Sequence, residues 1–215
     1  VLRTVDGGAT WSAQTFWQTE LYDVTFPTAA RGWMVDAAQS GHVFATNNGG
    51  LSWGTLATPT TRILRGIHFV DTLSGWAVGN SGTILRSTNG GGSWSLQTSG
   101  TAAHLNSVRA VDNQNAWAVG DDGVILHTTN GGANWEPQFR ASWASTPAFL
   151  GASFADATHG WIVGRSILHT GDGGDHWTVQ MGATPDLLWA VDSVDALTAW
   201  AVGDGSLILH TTDGG

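Results

Sequence analysis

The residues able to do acid–base, nucleophilic or metal chemistry are few in kind: fifteen Asp, two Glu (Glu20 and Glu136), eight His, one Tyr (Tyr22), and no Cys. A tyrosine nucleophile acting on an acidic sugar needs an arginine clamp and carboxylate partners. Tyr22 falls near the start of an expected innermost strand, but only two glutamates exist and no Arg-Ile-Pro segment precedes the repeats, so Tyr22 reads as a core or rim residue. Paired carboxylates for glycoside hydrolysis require two groups about 5–10 Å apart in one cleft. Asp23, Asp71, Asp112, Asp156, Asp192 and Asp195 are available on or just after expected first strands. Asp in such places most often forms a turn, and that is the expectation for most of the six.

His127, His169 and His210 recur at one position of a repeat. They fall on a third strand, two strands out from an axis, and strands about 4.8 Å apart diverge there. They cannot meet a zinc ion at about 2.0 Å. His68 and His104 lie nearer the axis without a fixed-spacing motif. The absence of cysteine removes thiolate zinc sites and disulfides. The Asx-Gly-Gly turns carry at most one carboxylate each, too few for calcium. No helix follows the glycine-rich turns, so they are not phosphate cradles. No metal and no cofactor are expected.

The charge is one-sided. Seventeen acidic residues face eight arginines and no lysine, for a formal net charge of −9. That argues against nucleic acid as a partner, since binding phosphates needs cations to displace counterions, and against a polybasic membrane surface. No apolar run has the length of a membrane span. The chain opens at Val1 inside a repeat, which places any targeting segment upstream.

Two interlocked landmarks organise the whole chain. One is a turn ending in tryptophan: Asp6-Gly7-Gly8 to Trp11, Asn48-Gly49-Gly50 to Trp53, Asn89-Gly90-Gly91 to Trp94, Asn130-Gly131-Gly132 to Trp135, and Asp172-Gly173-Gly174 to Trp177. The tryptophans are 42, 41, 41 and 42 residues apart, and Asp213-Gly214-Gly215 opens a sixth copy. The other is Gly32-Trp33, Gly75-Trp76, Ala116-Trp117, Gly160-Trp161 and Ala199-Trp200, each followed by a small or apolar residue and Val.

Each unit reads as four short strands. An apolar first strand such as Ile63–Val70 leads to the Trp-Ala-Val-Gly strand. A hairpin turn such as Gly79–Gly82, rich in residues that tolerate positive φ, leads to a third strand such as Thr83–Thr88. A fourth strand starts at the turn tryptophan. Four antiparallel strands at this period describe a propeller blade, whose two apolar faces are buried only by stacking. The expectation is an all-β propeller with repeats at about 1–42, 43–83, 84–124, 125–166 and 167–206 and a sixth beginning at 207–215. The strand roles occur five, five, six and five times, which points to part of a six- or seven-bladed ring. The alternative is a five-bladed ring in which the Trp11 strand completes the last blade. Residues Phe139 to Phe149 read as a long inter-blade loop.

The turn resembles the Asp-box, or BNR repeat, Ser/Thr-x-Asp-x-Gly-x-Thr-Trp. Thr4, Asp6, Gly8, Thr10 and Trp11 match throughout; Thr170, Asp172, Gly174 and Trp177 match with His176 in the Thr place. Asn48, Asn89 and Asn130 replace Asp in the copies ending at Trp53, Trp94 and Trp135. In such a turn the Asx side chain accepts backbone N–H groups, glycine takes the unusual dihedral, and the indole plugs the hairpin into the blade. With the intervening stretch Gly75 to Gly91, the chain resembles the photosystem II stability/assembly factor family. The resemblance implies a non-enzymatic scaffold outside the cytoplasm that binds a protein, a membrane-complex subunit. Members carry an arginine patch, whereas Arg3, Arg31, Arg62, Arg65, Arg86, Arg109, Arg140 and Arg165 are spread one or two per blade. The alternative is a carbohydrate-binding or glycoside-hydrolase-type Asp-box propeller.

Propellers bind at a channel mouth, where residues vary while the scaffold repeats. Tyr22, Arg65, Asn106, Leu150 and Trp189 occupy one such non-repeating place, and Thr25, His68, Arg109 and Asp192 another. Tyr, Trp and Arg are favoured at binding hot spots. Tyr22, Arg65, Asn106, Arg109 and Trp189 are the expected binding residues.

Overall fold

The computed structural model describes residues 1–14, 20–37, 41–138, 148–182, 184 and 186–215. The long loop expected from Phe139 lies largely outside them. A hairpin of β1 (Leu2–Arg3) and β2 (Ser12–Ala13) comes first. Blade I is β3 (Leu21–Thr25), β4 (Gly32–Asp36), β5 (Val43–Thr46) and β6 (Gly54–Leu56). Blade II is β7 (Leu64–Phe69), β8 (Gly75–Gly79), β9 (Thr83–Ser87) and β10 (Ser95–Gln97). Blade III is β11 (Leu105–Ala110), β12 (Ala116–Gly120), β13 (Ile125–Thr128) and β14 (Glu136–Gln138). Blade IV is β15 (Phe149–Phe154), β16 (Gly160–Gly164), β17 (Ile167–Thr170) and β18 (Thr178–Met181). Blade V is β19 (Leu188–Ser193), β20 (Ala199–Gly203) and β21 (Ile208–Thr211).

Each sheet is an antiparallel meander in chain order, and consecutive first strands pack side by side. The fold is the expected all-β propeller of four-stranded blades. The fourth strands begin one residue after the turn tryptophan rather than on it, because the indole turns away from the ladder into the joint between blades. Among the described residues β2 pairs with β1 and β21 with β20, so the five-bladed alternative closed by the Trp11 strand is not what forms.

The Asp-box turns are rigid before they touch anything else. In each, the Thr or Ser hydroxyl accepts the N–H of the second glycine: Thr46 from Gly50 at 2.9 Å, Ser87 from Gly91 at 2.8 Å, Thr170 from Gly174 at 2.8 Å. The Asx oxygen accepts an N–H four residues on, as Asn89 does from Ser93 at 2.9 Å. Both glycines have positive φ, +69° and +83° at Gly90 and Gly91, where a side chain is costly.

The first glycine's carbonyl then accepts a donor from the preceding blade. Gly49 receives Arg3 Nε at 2.6 Å; Gly90 receives Trp33 Nε1 at 3.1 Å and Arg31 Nη2 at 3.2 Å. Gly131 receives Gln97 at 2.9 Å, Gly173 receives Trp117 and Gln138 at 3.0 Å each, and Gly214 receives Gln180. Every joint between consecutive sheets carries this clasp.

Apolar burial fills the joints. Trp33, Trp76, Trp117 and Trp161 are fully buried or nearly so, as are the turn tryptophans Trp94, Trp135 and Trp177. Between blades I and II, Phe69 stacks on Trp33 (centroids 3.7 Å apart, planes 5°) and meets Trp94 edge-on at 5.7 Å. Phe154 does the same with Trp117 (3.8 Å) and Trp177 (6.1 Å). Such aromatic pairs contribute about 0.5–1.5 kcal/mol beyond their area. The Phe ring lies so close over Gly75, or Gly160, that a Cβ there would overlap it. In blades III and V the Phe position holds Ala110 and Ser193, and the facing glycine becomes Ala116 and Ala199. The Gly/Ala choice in the Trp-Ala-Val landmark is thus set by the ring across the strand pair. Trp11, expected to plug its hairpin, is 60% exposed, because no first or second strand flanks β1 among the described residues.

Trp94→Ala is expected to lower unfolding free energy by about 3–5 kcal/mol in urea titrations; wild-type stability would remove it from the core. Gly75→Ala should cost about 1–3 kcal/mol by overpacking. That penalty should largely vanish in a Phe69→Ala background, a coupling read from a double-mutant cycle.

A candidate binding rim built from five bulges

All five first strands share one irregularity. The ladder to the second strand skips a residue between Leu21 and Asp23, Leu64 and Gly66, Leu105 and Ser107, Phe149 and Gly151, and Leu188 and Ala190. The skipped residues are Tyr22, Arg65, Asn106, Leu150 and Trp189. A bulge frees a side chain from the pleat and re-aims it, so the fold sets five non-repeating side chains at the same end of the inner wall.

Local partners hold four of them. Arg65 Nε donates to Asn80 Oδ1 at 2.6 Å, and its Nη1 to Asn106 Oδ1 at 3.3 Å. The Arg65 guanidinium lies 5.7 Å from the Tyr22 ring centre, in cation–π range. Asn106 Nδ2 donates to Asp121 Oδ1 at 2.8 Å and to the Phe149 carbonyl at 3.0 Å. Trp189 Nε1 donates to Asp204 Oδ1 at 2.6 Å. Asn80, Asp121 and Asp204 each open the short 3-10 turn after a second strand, so the hairpin turn braces the bulge. Tyr22 and Trp189 remain 45% and 52% exposed, leaving apolar area at the rim.

Arg109 is placed differently from the other expected binding residues. It lies three residues beyond Asn106 on β11, about 10 Å along the strand, within the inner wall. Its Nη1 is 3.6 Å from Asp23 Oδ2 and donates to the Val108 carbonyl at 2.9 Å. Asp23 also accepts the Ile67 N–H at 3.0 Å. It sits where the other first strands have Gly66, Ser107, Gly151 or Ala190, at the closest approach between neighbouring strands; a Cβ on Gly66 would be 3.0 Å from the Ser107 Cα. Burial pushes the Asp23 carboxyl up, against the pull of Arg109. Next to them His68 Nδ1 accepts the Ala110 N–H at 3.3 Å, and burial, reinforced by Arg109, lowers its pKa to about 3. Further round, Ser193 N–H donates to Ser153 Oγ at 3.0 Å. At each joint between blades I and V, then, a first-strand side chain bonds the backbone of the next. Sequence reasoning did not find this role for Asp23 or His68; the signal available was one carboxylate in a column of small residues.

The other chemistry-bearing residues are committed to structure. Asp71, Asp112, Asp156 and Asp195 each accept two backbone N–H groups in the turn from first to second strand, as Asp71 Oδ1 does from Leu73 and Ser74 at 2.6 Å. In the Asp-boxes, the Thr10 hydroxyl and backbone together with Thr4 hold Asp6 down at about 2, and the His176 backbone and ring do the same for Asp172. His127 and His210 stack on the second-strand indoles Trp117 and Trp200 at 4.2 and 4.3 Å, and His169 lies tilted by 35° against Trp161 at 4.6 Å. In blade II the equivalent Arg86 lies 3.6 Å over Trp76. Among the described residues no three His, Asp or Glu converge to hold a metal ion, and no helix is long and apolar enough to cross a membrane.

A family model described as "Photosynthesis system II assembly factor YCF48" matches residues 51–142 and 138–215. The chain belongs to this family. The Photosystem II assembly lipoprotein Ycf48 of Synechococcus sp. (strain CC9902) is 39% identical over 72 residues, 31% of this chain. That match spans only 21% of the relative's length. The structure of YCF48 from Cyanidioschyzon merolae superposes with a TM-score of 0.71 at 19% identity, covering 99% of this chain and 76% of that one. YCF48 bound to D1 peptide gives 0.63 at 17%, covering 92% and 79%. An ancestral GH74 enzyme gives 0.70 at 18%, covering 91% and 30%. At these identities the likenesses show the fold, which the family shares with enzymes that do other work.

Burial lowers the His127 pKa from 6.5 to about 4, and lowers that of His169 as well. The unfolded chain therefore takes up protons first. The stability these rings confer is complete above pH 6.5 and is lost as pH falls through the folded value. The melting temperature should drop between pH 6.5 and 4, and His127→Phe, which keeps the stack, should flatten part of that drop.

Proposed function

We propose that the chain is a non-enzymatic scaffold, outside the cytoplasm, that binds an extended segment of a photosystem II subunit at the bulge rim and so assists assembly of that membrane complex. The observation carrying this reading is the set of five bulges. They gather Tyr22, Arg65, Asn106, Leu150 and Trp189 at one end of the inner wall while everything around them repeats. Family membership supports the assembly role. The relative solved with a D1 peptide supports a peptide as ligand, and the lipoprotein relative supports a lumenal or periplasmic location.

The rim's chemistry suits a peptide. A pinned guanidinium, an amide and two half-exposed aromatic rings can take a carboxylate or carbonyl, a backbone N–H and an apolar side chain together. Arg109 contributes from within the wall, where its guanidinium faces the Asp23 carboxyl. The non-enzymatic reading is supported by the four first-turn aspartates, whose carboxylates are spent on backbone N–H groups.

Binding of D1-derived peptides, followed by fluorescence anisotropy, tests the rim. Arg65→Ala and Trp189→Ala should each weaken binding by about tenfold or more, as hot-spot residues do. Leu96→Ala, on an outer strand, should leave it unchanged. Equal loss in all three, or binding of glycans in place of peptides, would overturn the reading.

A further inference from the structure

Neighbouring bulge residues are joined in different ways. Between blades II and III Arg65 bonds Asn106 directly at 3.3 Å, and between blades III and IV Asn106 bonds the Phe149 carbonyl at 3.0 Å. Between blades I and II the described residues make no such bond at the rim. Tyr22 and Arg65 meet there only as a ring and a guanidinium 5.7 Å from its centre, a weak and loosely directed attraction. The hydrogen-bonded link between these two blades lies one residue further in. Asp23 Oδ2 accepts the Ile67 N–H at 3.0 Å, and Asp23 Oδ1 accepts the Val24 N–H at 2.8 Å. The inter-blade bond thus runs from the residue after Tyr22 to the second residue after Arg65.

This carboxylate is not what stability alone would select. Gly66, Ser107, Gly151 and Ala190 fill its place in the other blades. Burial pushes the Asp23 carboxyl up, against the pull of Arg109. A folded pKa above the ordinary value means that the folded chain holds the proton more tightly than the unfolded one. The stability so gained is present at low pH and is lost as pH rises through the folded value. Near neutral pH the ionised group therefore opposes folding, a cost tolerated where a residue has another role. Among the described residues its charged and titratable neighbours are Arg109 of β11, with Nη1 at 3.6 Å, His68 of β7 next to Arg109, and Tyr22 on its own strand; its ladder partner on β4 is the apolar Val35.

We propose that Asp23 is a positioning residue of the rim, whose negative charge keeps Tyr22 within reach of Arg65; the inference rests on the rim reading above. Ionised, the carboxylate offers one oxygen to Val24 and the other to Ile67, which draws β3 to β7 just below the two rim residues. Protonated, it has one free acceptor oxygen for two N–H groups. The bond to Val24 is local and needs no second strand, so the bond to Ile67 is the one given up. Tyr22 then moves off Arg65, and a segment lying on the rim loses an aromatic contact. Asparagine has the same single acceptor oxygen and stands for the protonated form at every pH.

Tyr22 is the one tyrosine of the chain, so a tyrosine-labelled sample reports on it alone by NMR. Wild type and Asp23→Asn are titrated from about pH 7 to about pH 4, with amide exchange at Ile67 followed alongside. In wild type the Tyr22 ring signal should shift in one step lying above the ordinary Asp value of 3.8, and the Ile67 amide should exchange faster below that step. In Asp23→Asn the ring signal should stay at the wild-type low-pH position, with a melting temperature near neutral pH no lower than that of wild type. D1-derived peptides should bind Asp23→Asn about threefold to tenfold more weakly near neutral pH, as indirect couplings do, and wild-type affinity should fall to the same level through the step. A Tyr22 signal that does not titrate, or that titrates alike in both proteins, would sink the proposal, as would equal peptide affinity with Tyr22 displaced. If neither protein binds peptide, the rim is not the site, and the Tyr22 signal still decides whether Asp23 positions it.

Discussion

One backbone carbonyl per blade, that of the first glycine in each Asp-box turn, ties every sheet to the one before it. Its position is fixed by hydrogen bonds inside the turn, so it is presented to the joint in the same place each time. A fixed backbone acceptor does not demand one donor type. Arg3, Trp33 with Arg31, Gln97, Trp117 with Gln138, and Gln180 all reach it. Where the Gln position holds Leu56, the indole N–H of Trp33 and the guanidinium of Arg31 supply the bond. The acceptor is thus satisfied at the edge of a joint otherwise closed by apolar side chains, where an unpaired carbonyl would be costly. The second glycine has no room for a side chain for the same reason: Leu56, Gln97, Gln138 or Gln180 of the preceding blade presses against it.

This demand on long donors explains where the arginines go. Arg3, Arg31 and Arg86 bond carbonyls across the joints, and Arg109 is set against Asp23 inside the wall. A basic patch would need these cations together on one surface. They are distributed around the ring as structural donors instead, which leaves a chain of net charge −9 with a single arginine, Arg65, among the five bulge residues. The surface of that rim consists of exposed aromatic area beside one oriented guanidinium.

The fold was legible because its determinants are local. Asx-Gly-Gly dictates a turn, the Trp spacing dictates a period, and neither needs a distant partner to be recognised. The rim was legible for the opposite reason: Tyr22, Arg65, Asn106, Leu150 and Trp189 fail to repeat where all else does. That these positions are bulges was not, since a ladder slip is a property of two strands together. Arg109 was grouped with the rim because sequence equivalence shows column and not depth. Asp23 and His68 were missed as inter-blade bonds because their partners, Ile67 and Ala110 N–H, lie more than forty residues away. The alternation of Gly75 and Gly160 with Ala116 and Ala199 was visible in the sequence, but its cause is the stacked ring of Phe69 or Phe154.

In a structure of near-identical units joined only to their neighbours, stability is close to a sum of blade and joint terms. The rim is different, because its five side chains come from five blades and its bonds cross the joints: Arg65 to Asn106, Asn106 to the Phe149 carbonyl. The relative placement of these side chains depends on the angle between consecutive blades. That angle is set at large radius by the turn clasps and the indoles, and at small radius by Asp23, His68 and Ser153. A clasp residue far from the rim therefore acts on its geometry, because rotating one blade against the next moves neighbouring bulge residues apart without changing either. The Phe–Gly joints and the Ala–Ala joints bring different side chains between the sheets, so they set that angle by different packing. The order of joint types around the ring is then itself part of how the rim acquires its shape.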